Sequence, residues 1–294
     1  MAPRVSVIVP WFNDGPLAIE AVGSVRESEP VELVVVDDGS SEPETLEALD
    51  RLRGQGVRVI TRENGGLSAA RMTGVAETSA PYLYPLDSDD RMAPGAAAAM
   101  ADALDRNERA AFAYGDYEVF GEYRGLWVSR PEFSHWAQTW ANFIPVGSMV
   151  RRDALLEVGG WELRTGVEDW DLWLKLAEAG WTGVKVPRVV YERRVEGARM
   201  HAEARTRHRQ LVDRLRERHP KSFGRRRELA REEGVPLMRR LTYPVIFGIR
   251  NRNLLPYRIE EPLLRWILGR NLRKSGLASS GEVSRRADVE HGAR

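Results

Sequence analysis

Asp87-Ser88-Asp89 sets two carboxylates at i and i+2, directly after the apolar run Tyr82-Leu83-Tyr84-Pro85-Leu86. At that spacing both can face one hard cation, and Mg2+ and Mn2+ take such oxygen ligands while bridging a pyrophosphate. A second acidic pair, Asp37-Asp38 with Gly39-Ser40, ends another apolar run, Val31–Val36. A carboxylate there can accept hydrogen bonds from a base N–H or a ribose hydroxyl. In Glu63-Asn64-Gly65-Gly66-Leu67-Ser68-Ala69-Ala70-Arg71 the glycines let the backbone approach a ligand, and Arg71 stands one turn into a helix, where it can assist an anionic diphosphate. Glu168-Asp169-Trp170-Asp171 is an acidic helix start whose carboxylates can deprotonate an incoming hydroxyl. Each piece has a plainer reading: a capped polar loop, an Asx-turn, a loop with a surface arginine, and acidic groups favoured by the helix dipole. Taken singly, none decides.

The elements around these residues alternate. Val5–Pro10, Val31–Val36, Val57–Ile60 and Tyr82–Leu86 are short apolar runs that read as buried parallel strands. Leu17–Ser28, Glu44–Arg53 and Leu67–Glu77 carry apolar residues at helical spacing between them. The alternation predicts an α/β fold, a mostly parallel sheet flanked by helices, with functional residues at the carboxyl ends of the strands. Two of those ends carry the acidic clusters, so the topology converges them on one crevice. A helix is predicted over Val167–Ala179. Between Ala110 and Arg152 the pattern is less regular and aromatic, and six tryptophans lie from Trp127 to Trp173.

Composition narrows the classes. The 294 residues hold no Cys, which excludes a thiolate zinc site, an iron–sulfur cluster and a cysteine nucleophile. No run approaches the roughly 18 apolar residues of a membrane span, and no signal peptide is read at the start. The net charge of +1 conceals a split: residues 199–294 hold 24 Lys and Arg against 11 Asp and Glu, and residues 1–198 hold 20 against 32. An acidic domain over residues 1–198 is therefore expected, then an Arg-rich helical extension over 199–274 and a mobile tail over 275–294. The basic part either meets an anionic partner or pairs with the acidic part of the same chain.

Together and in this order, Val5–Asn13, Val35–Ser40, Asn64–Gly74, Leu86–Asp90, Gly159–Glu162 and Gly166–Leu174 resemble the family 2 inverting glycosyltransferases of the GT-A fold, over about residues 4–195. The resemblance implies a Rossmann-like nucleotide-binding half. It implies sugar transfer from a nucleoside diphosphate, UDP favoured, to an acceptor hydroxyl with inversion, in glycan or polysaccharide biosynthesis. Pro10 and Phe12, within the Trp11-Phe12-Asn13 turn, would shape the nucleoside pocket, with Asp37 or Asp38 on the nucleoside. Asn64, Gly66 and Arg71 would lie near the nucleotide or diphosphate, and Asp87 and Ser88 near the ribose and donor sugar. Asp89 of this DXD motif would ligate Mn2+ or Mg2+. Asp169 would be the general base, with Trp161, Glu168 and Trp170 bordering the acceptor.

The chain departs from the family pattern at Trp11, at Met72, and at Tyr191-Glu192-Arg193-Arg194-Val195, where a Tyr-Arg-x-His stretch is usual; His201 stands several residues on. Arg193 or Arg194 is the candidate to meet the diphosphate instead. The acceptor expected is a glycan, a lipid-linked or a small molecule. The site expected is the cytoplasm, with peripheral attachment at the inner face of the membrane through a basic, partly amphipathic segment at Leu263–Arg273. The alternative is a membrane- or nucleic-acid-binding protein with an inactive transferase domain. No aromatic-basic RNA motif or zinc finger accompanies the arginines, so no nucleic acid is expected as partner. A nucleotidyltransferase and a dinucleotide oxidoreductase are disfavoured because the glycine-rich signatures of both are missing after the first strand.

Overall fold

A computed structural model describes residues 2–122, 124–164, 166–195 and 198–251, with the side chains of 198–207 and 249–251 left aside. In chain order its elements are β1 (Val5–Trp11), α1 (Leu17–Ser24), β2 (Glu32–Asp37), α2 (Pro43–Gly54), β3 (Arg58–Thr61), α3 (Leu67–Ala76), β4 (Tyr82–Pro85), β5 (Arg91–Met92), α4 (Ala96–Asp105), β6 (Ala110–Gly121) and β7 (Gly125–Trp127). There follow α5 (His135–Gln138), β8 (Met149–Arg151), α6 (Arg152–Glu157), α7 (Glu168–Glu178), β9 (Thr182–Val195), α8 (Ala198–Arg218), α9 (Pro220–Gly224), α10 (Arg226–Glu232) and α11 (Leu237–Asn251).

One sheet runs in the order β3-β2-β1-β4-β8-β6-β9-β5, with β7 added to β6. The first four strands are parallel, as expected from their apolar runs. The other half is mixed: β8 lies antiparallel to β4 and β6, β9 parallel to β6, and β5 antiparallel to β9. The mixed half follows from the connections. Only β6 and β7 are joined by a short antiparallel return, while the parallel pair β6 and β9 is joined by a long crossover through α5 to α7.

The pleat of β1 explains the layers. Val5, Val7, Val9 and Trp11 point into one core with Ala18, Ala21, Leu49, Leu52, Met100 and Leu104. Ile8 points the other way, onto Ala70, Val75, Leu155, Trp161 and Trp173. Alternate residues of one strand thus hold helices on both faces. The approach of α3 to β1 is close: a Cβ on Gly74 would lie 2.3 Å from Ile8 Cγ2, so only glycine fits there.

Beyond β9 the helices pack on the first domain. Val212 and Leu215 of α8 share a cluster with Leu163, Val167, Trp170 and Leu174. Leu229 and Ala230 of α10 and Tyr243, Ile246 and Phe247 of α11 share another with Trp136 and Ala137. Polar pairs fix the seam. Asp171, fully buried, accepts from Arg218 Nε at 2.7 Å and meets His219 Nε2 at 3.0 Å. The internal-pairing reading of the charge split therefore has named contacts. The expected amphipathic segment Leu263–Arg273, the tail 275–294 and the side chain of His201 lie outside the described residues.

Candidate functional site

The carboxyl ends of β1, β2 and β4 carry three loops that are tied to one another. At the β1 end, Asn13 sits at φ +52°, a left-handed conformation that Asn tolerates because its side chain bonds the local backbone. Its Oδ1 accepts from Ser41 N at 2.9 Å and Glu42 N at 3.2 Å, and its own N–H donates to Ser40 Oγ at 3.1 Å. Next in the chain, Asp14 accepts a hydrogen bond from Ser88 Oγ. The loops after β1, β2 and β4 thus form one rim.

Pro10 is buried within β1, opposite Val36. Trp11, expected to help shape the nucleoside pocket, turns into the core and is 1% exposed. The strand alternation then sends Phe12 outward, 46% exposed on the rim.

Asp37 and Asp38 are both buried and have local partners. Asp37 Oδ1 accepts from Ser40 N at 2.9 Å and closes the turn. Asp38 Oδ2 accepts from Gly66 N at 2.6 Å, its Oδ1 from Gly65 N at 3.0 Å, and the same carboxylate pairs with Arg62. Asp38 therefore anchors the Asn64–Gly66 loop against β2, with Asn64 left exposed. Gly39, at φ +79°, makes this possible: a Cβ there would sit 3.0 Å from Asn64 N.

Arg71 is 1% exposed and bridges the loop after β4 and the start of α7. Its Nη2 donates to Asp87 Oδ1 at 2.7 Å, its Nη1 donates to Glu168 Oε1 at 3.1 Å, and Asp169 Oδ1 lies 3.8 Å from Nη1. Its guanidinium lies 5.7 Å from the Trp161 ring centroid. Burial alone would weaken the charged form, but the three carboxylates outweigh it and keep the guanidinium firmly protonated. Arg71 thus meets carboxylates on two sides.

The carboxylates divide by environment. Asp89 is pushed up to about 6 by burial first, then by Asp87 and Asp14, with Arg193 opposing. Asp90 is pushed up to about 8 by burial, Asp87 and Asp89. Arg194 N donates to Asp90 Oδ1 at 2.8 Å and Arg194 Nε to Asp89 O at 2.9 Å, while its guanidinium also pairs with Glu20. Asp169, buried beside Glu168 at the first turn of α7, is held well above the usual carboxylate range by burial and by the Glu168 charge and hydrogen bond; Arg71 pulls the other way.

The Asp87–Asp90 loop suits a hard divalent cation. Its donors are carboxylate oxygens, and like charges raise Asp89 and Asp90 in a way that a cation would relieve. Among the described residues no group of three or more His, Asp or Glu side chains is arranged to hold a metal unaided.

Trp161 and Trp170, expected beside the acceptor, are both buried. Trp161 packs among Leu155, Leu172 and Trp173, and Trp170 donates its indole N–H to Gln138 O at 2.7 Å. Neither offers an open indole face here. Sequence reasoning assigned no role to Asp14, Glu20 or Asp90. Asp14 and Asp90 lie at strand ends beside residues that were singled out, a signal available in the spacing. Glu20 had none, because its partners Arg91 and Arg194 are 71 and 174 residues away.

The glycosyl transferase family 2 model matches residues 6–159. Chondroitin synthase of Pasteurella multocida is 27% identical over 192 residues, which cover 60% of this chain and 19% of the synthase. The chain spans between about a sixth and just over a third of the length of the leading curated relatives it matches. Among solved structures, Staphylococcus aureus TarS 1-349 in complex with UDP-GlcNAc aligns with TM-score 0.58 and 16% identity over 93% of this chain and 92% of that one. The mannosyltransferase PcManGT of Pyrobaculum calidifontis, in complex with GDP-Man and Mn2+, aligns with TM-score 0.57 and 18% identity over 95% and 89%. At these identities the likeness is one of fold, the GT-A fold.

Proposed function

The chain belongs to glycosyl transferase family 2, and from that premise we propose that it transfers a sugar, with inversion, from a nucleoside-diphosphate donor to an acceptor hydroxyl. The observation that carries the reading is the chain of contacts Asp14–Ser88, Asp87–Arg71 and Arg71–Glu168, which draws the loops after β1 and β4, helix α3 and the start of α7 into one acidic crevice.

In this reading the nucleoside lies on the rim formed by the loops after β1 and β2, against the exposed ring of Phe12. Asp37 and Asp38 shape that rim; Asp38 does so by holding the Asn64–Gly66 loop. Asp87 faces the donor sugar and is kept in place by Arg71. Asp89 would hold Mn2+ or Mg2+, which when bound supplies positive charge against the departing diphosphate. Arg193, exposed on β9 and close enough to act electrostatically on Asp89 and Asp90, adds a second positive group there.

Asp169 removes the acceptor proton. Its raised affinity for a proton suits a base, and the proton moves from the acceptor oxygen to the Asp169 carboxylate as that oxygen bonds the anomeric carbon. The bond from that carbon to the diphosphate oxygen breaks, and its electron pair leaves with the nucleoside diphosphate. Attack from the opposite face inverts the anomeric centre, and no covalent enzyme intermediate forms. Burial of the site by Glu168 and the tryptophans behind it keeps competing water few.

The reading puts the reaction in glycan or polysaccharide biosynthesis, which the synthase relative supports, with UDP the favoured base-bearing group and a glycan, lipid-linked or small-molecule hydroxyl as acceptor. Thermal shifts with UDP, GDP, dTDP and CDP, each with and without Mn2+, test it. A ligand bound only by the native state raises the midpoint by mass action. A metal-dependent rise with one diphosphate is expected; no rise with any of them in folded protein contradicts the reading.

A further inference from the structure

Helix α11 is apolar on two opposite sides. Tyr243, Ile246 and Phe247 face inward, and Tyr243 stacks on Trp136 with ring centroids 4.9 Å apart. Leu237, Met238, Leu241 and Val245 fall within one arc on the other side and are 66%, 69%, 59% and 60% exposed. The inner face accounts for the packing of the helix on the domain. The outer face, about 12 Å long at 1.5 Å per residue, has no packing role among the described residues. Scattered surface leucines need no explanation, but four aligned along one helix do.

The helical segment that carries this strip is basic. Residues 208–251 contain 12 Lys and Arg against five Asp and Glu. Arg227, Arg231 and Arg240 are exposed, and neither they nor the half-buried Arg239 makes an ion pair with a described residue. No helix among the described residues is long and apolar enough to cross a membrane. Aliphatic side chains on a basic segment, flanked by Arg240, which has no ion-pair partner among the described residues, and on a helix too short to span, are the pattern of a segment that lies in the lipid headgroup region.

We propose that the outer face of α11 seats the enzyme on an anionic phospholipid surface, with Leu237, Met238, Leu241 and Val245 in the headgroup boundary and the flanking Arg240 against lipid phosphates. A second copy of the chain fits less well, because a two-fold contact on this face would bring both arginine sets together. Nucleic acid would engage the arginines and leave the four aliphatic side chains without a role.

The test uses the full chain, which has no cysteine, carrying Met238→Cys labelled with an environment-sensitive fluorophore. Vesicles of phosphatidylcholine with phosphatidylglycerol are compared with vesicles of phosphatidylcholine alone. The expected result is a blue shift on the anionic vesicles only, reduced by salt and absent from the same label at the exposed Glu217→Cys. Leu241→Glu with Val245→Glu is expected to lower co-sedimentation with those vesicles about tenfold or more at an unchanged thermal midpoint. Should the double variant fail to fold, the Met238 label still decides, since it leaves the strip otherwise intact. Absence of a shift at Met238, or equal co-sedimentation of the folded double variant, overturns the proposal. A label already blue-shifted without vesicles and unmoved by them also overturns it, because residues 252–294 or a second copy would then cover the face.

Discussion

Arg71 holds Asp87 at 2.7 Å from inside the fold, so the carboxylate that follows β4 is positioned by a group that is itself almost out of contact with solvent. The same guanidinium reaches Glu168. The loop after β4 and the start of α7 therefore share one buried charge.

Replacing Arg71 with Met is expected to be severe. It leaves Asp87, Glu168 and Asp169 facing one another without their cation, and removing one member of a buried ionic group costs about 3–5 kcal/mol. Urea unfolding of the variant checks this. A loss within measurement error of zero would show that water, not Arg71, solvates these carboxylates.

Asp89→Asn should separate binding from stability. The substitution removes one of the like charges that raise Asp90, so the thermal midpoint is expected to hold or rise. Affinity for a nucleoside diphosphate in Mn2+ is expected to fall. Wild-type affinity should also weaken below pH about 6, where Asp89 takes up its proton. Calorimetric titration at two pH values, on both proteins, reads all three effects.

The pH profile of kcat carries the sign of the Glu168 interaction. Glu168 raises Asp169 through its charge and hydrogen bond, so Glu168→Gln is expected to shift the acidic limb to lower pH. An unshifted limb would mean that another group sets it.

Docking of the C-terminal helices should depend on His219. Burial pulls its imidazole down, but the hydrogen bonds and charges of Asp171 and Glu178 outweigh that and hold it above the usual value of 6.5. A group raised on folding contributes stability in full below its unfolded pKa and loses it as pH rises through the folded one. The excess stability of wild type over His219→Ala is therefore expected to be largest in mild acid, to the extent that Asp171 and Glu178, both held below their usual values, remain ionised. It should shrink as pH rises through the raised folded pKa of His219. Midpoints measured across that range test it.

Much of the site was legible before the fold. The apolar runs at Val5–Pro10 and Val31–Val36 fixed which residues stand at strand ends, so Asp37, Asp38 and Asp87–Asp90 could be assigned to one crevice. What spacing could not reveal was direction and distance. Strand alternation buries Trp11 and exposes Phe12, yet the sequence offers two aromatics side by side. Trp161 and Trp170 look alike as sugar platforms until packing buries both, Trp161 in the core beside Leu172 and Trp173 and Trp170 beneath α8. β9 itself escaped notice because Lys185, Arg188, Arg193 and Arg194 interrupt its apolar pattern, and with it went the contacts of Arg194 to the Asp89–Asp90 loop.

The central claim is that Asp169 is the base of a sugar transfer. Once the diphosphate panel identifies the donor, single-turnover transfer by wild type and Asp169→Asn, with the product anomer read by NMR, tests it most directly. Wild type is expected to give the inverted anomer, and Asp169→Asn to transfer about 10²–10⁴-fold more slowly with donor affinity retained. Transfer by Asp169→Asn at the wild-type rate, or a product with retained configuration, would contradict it.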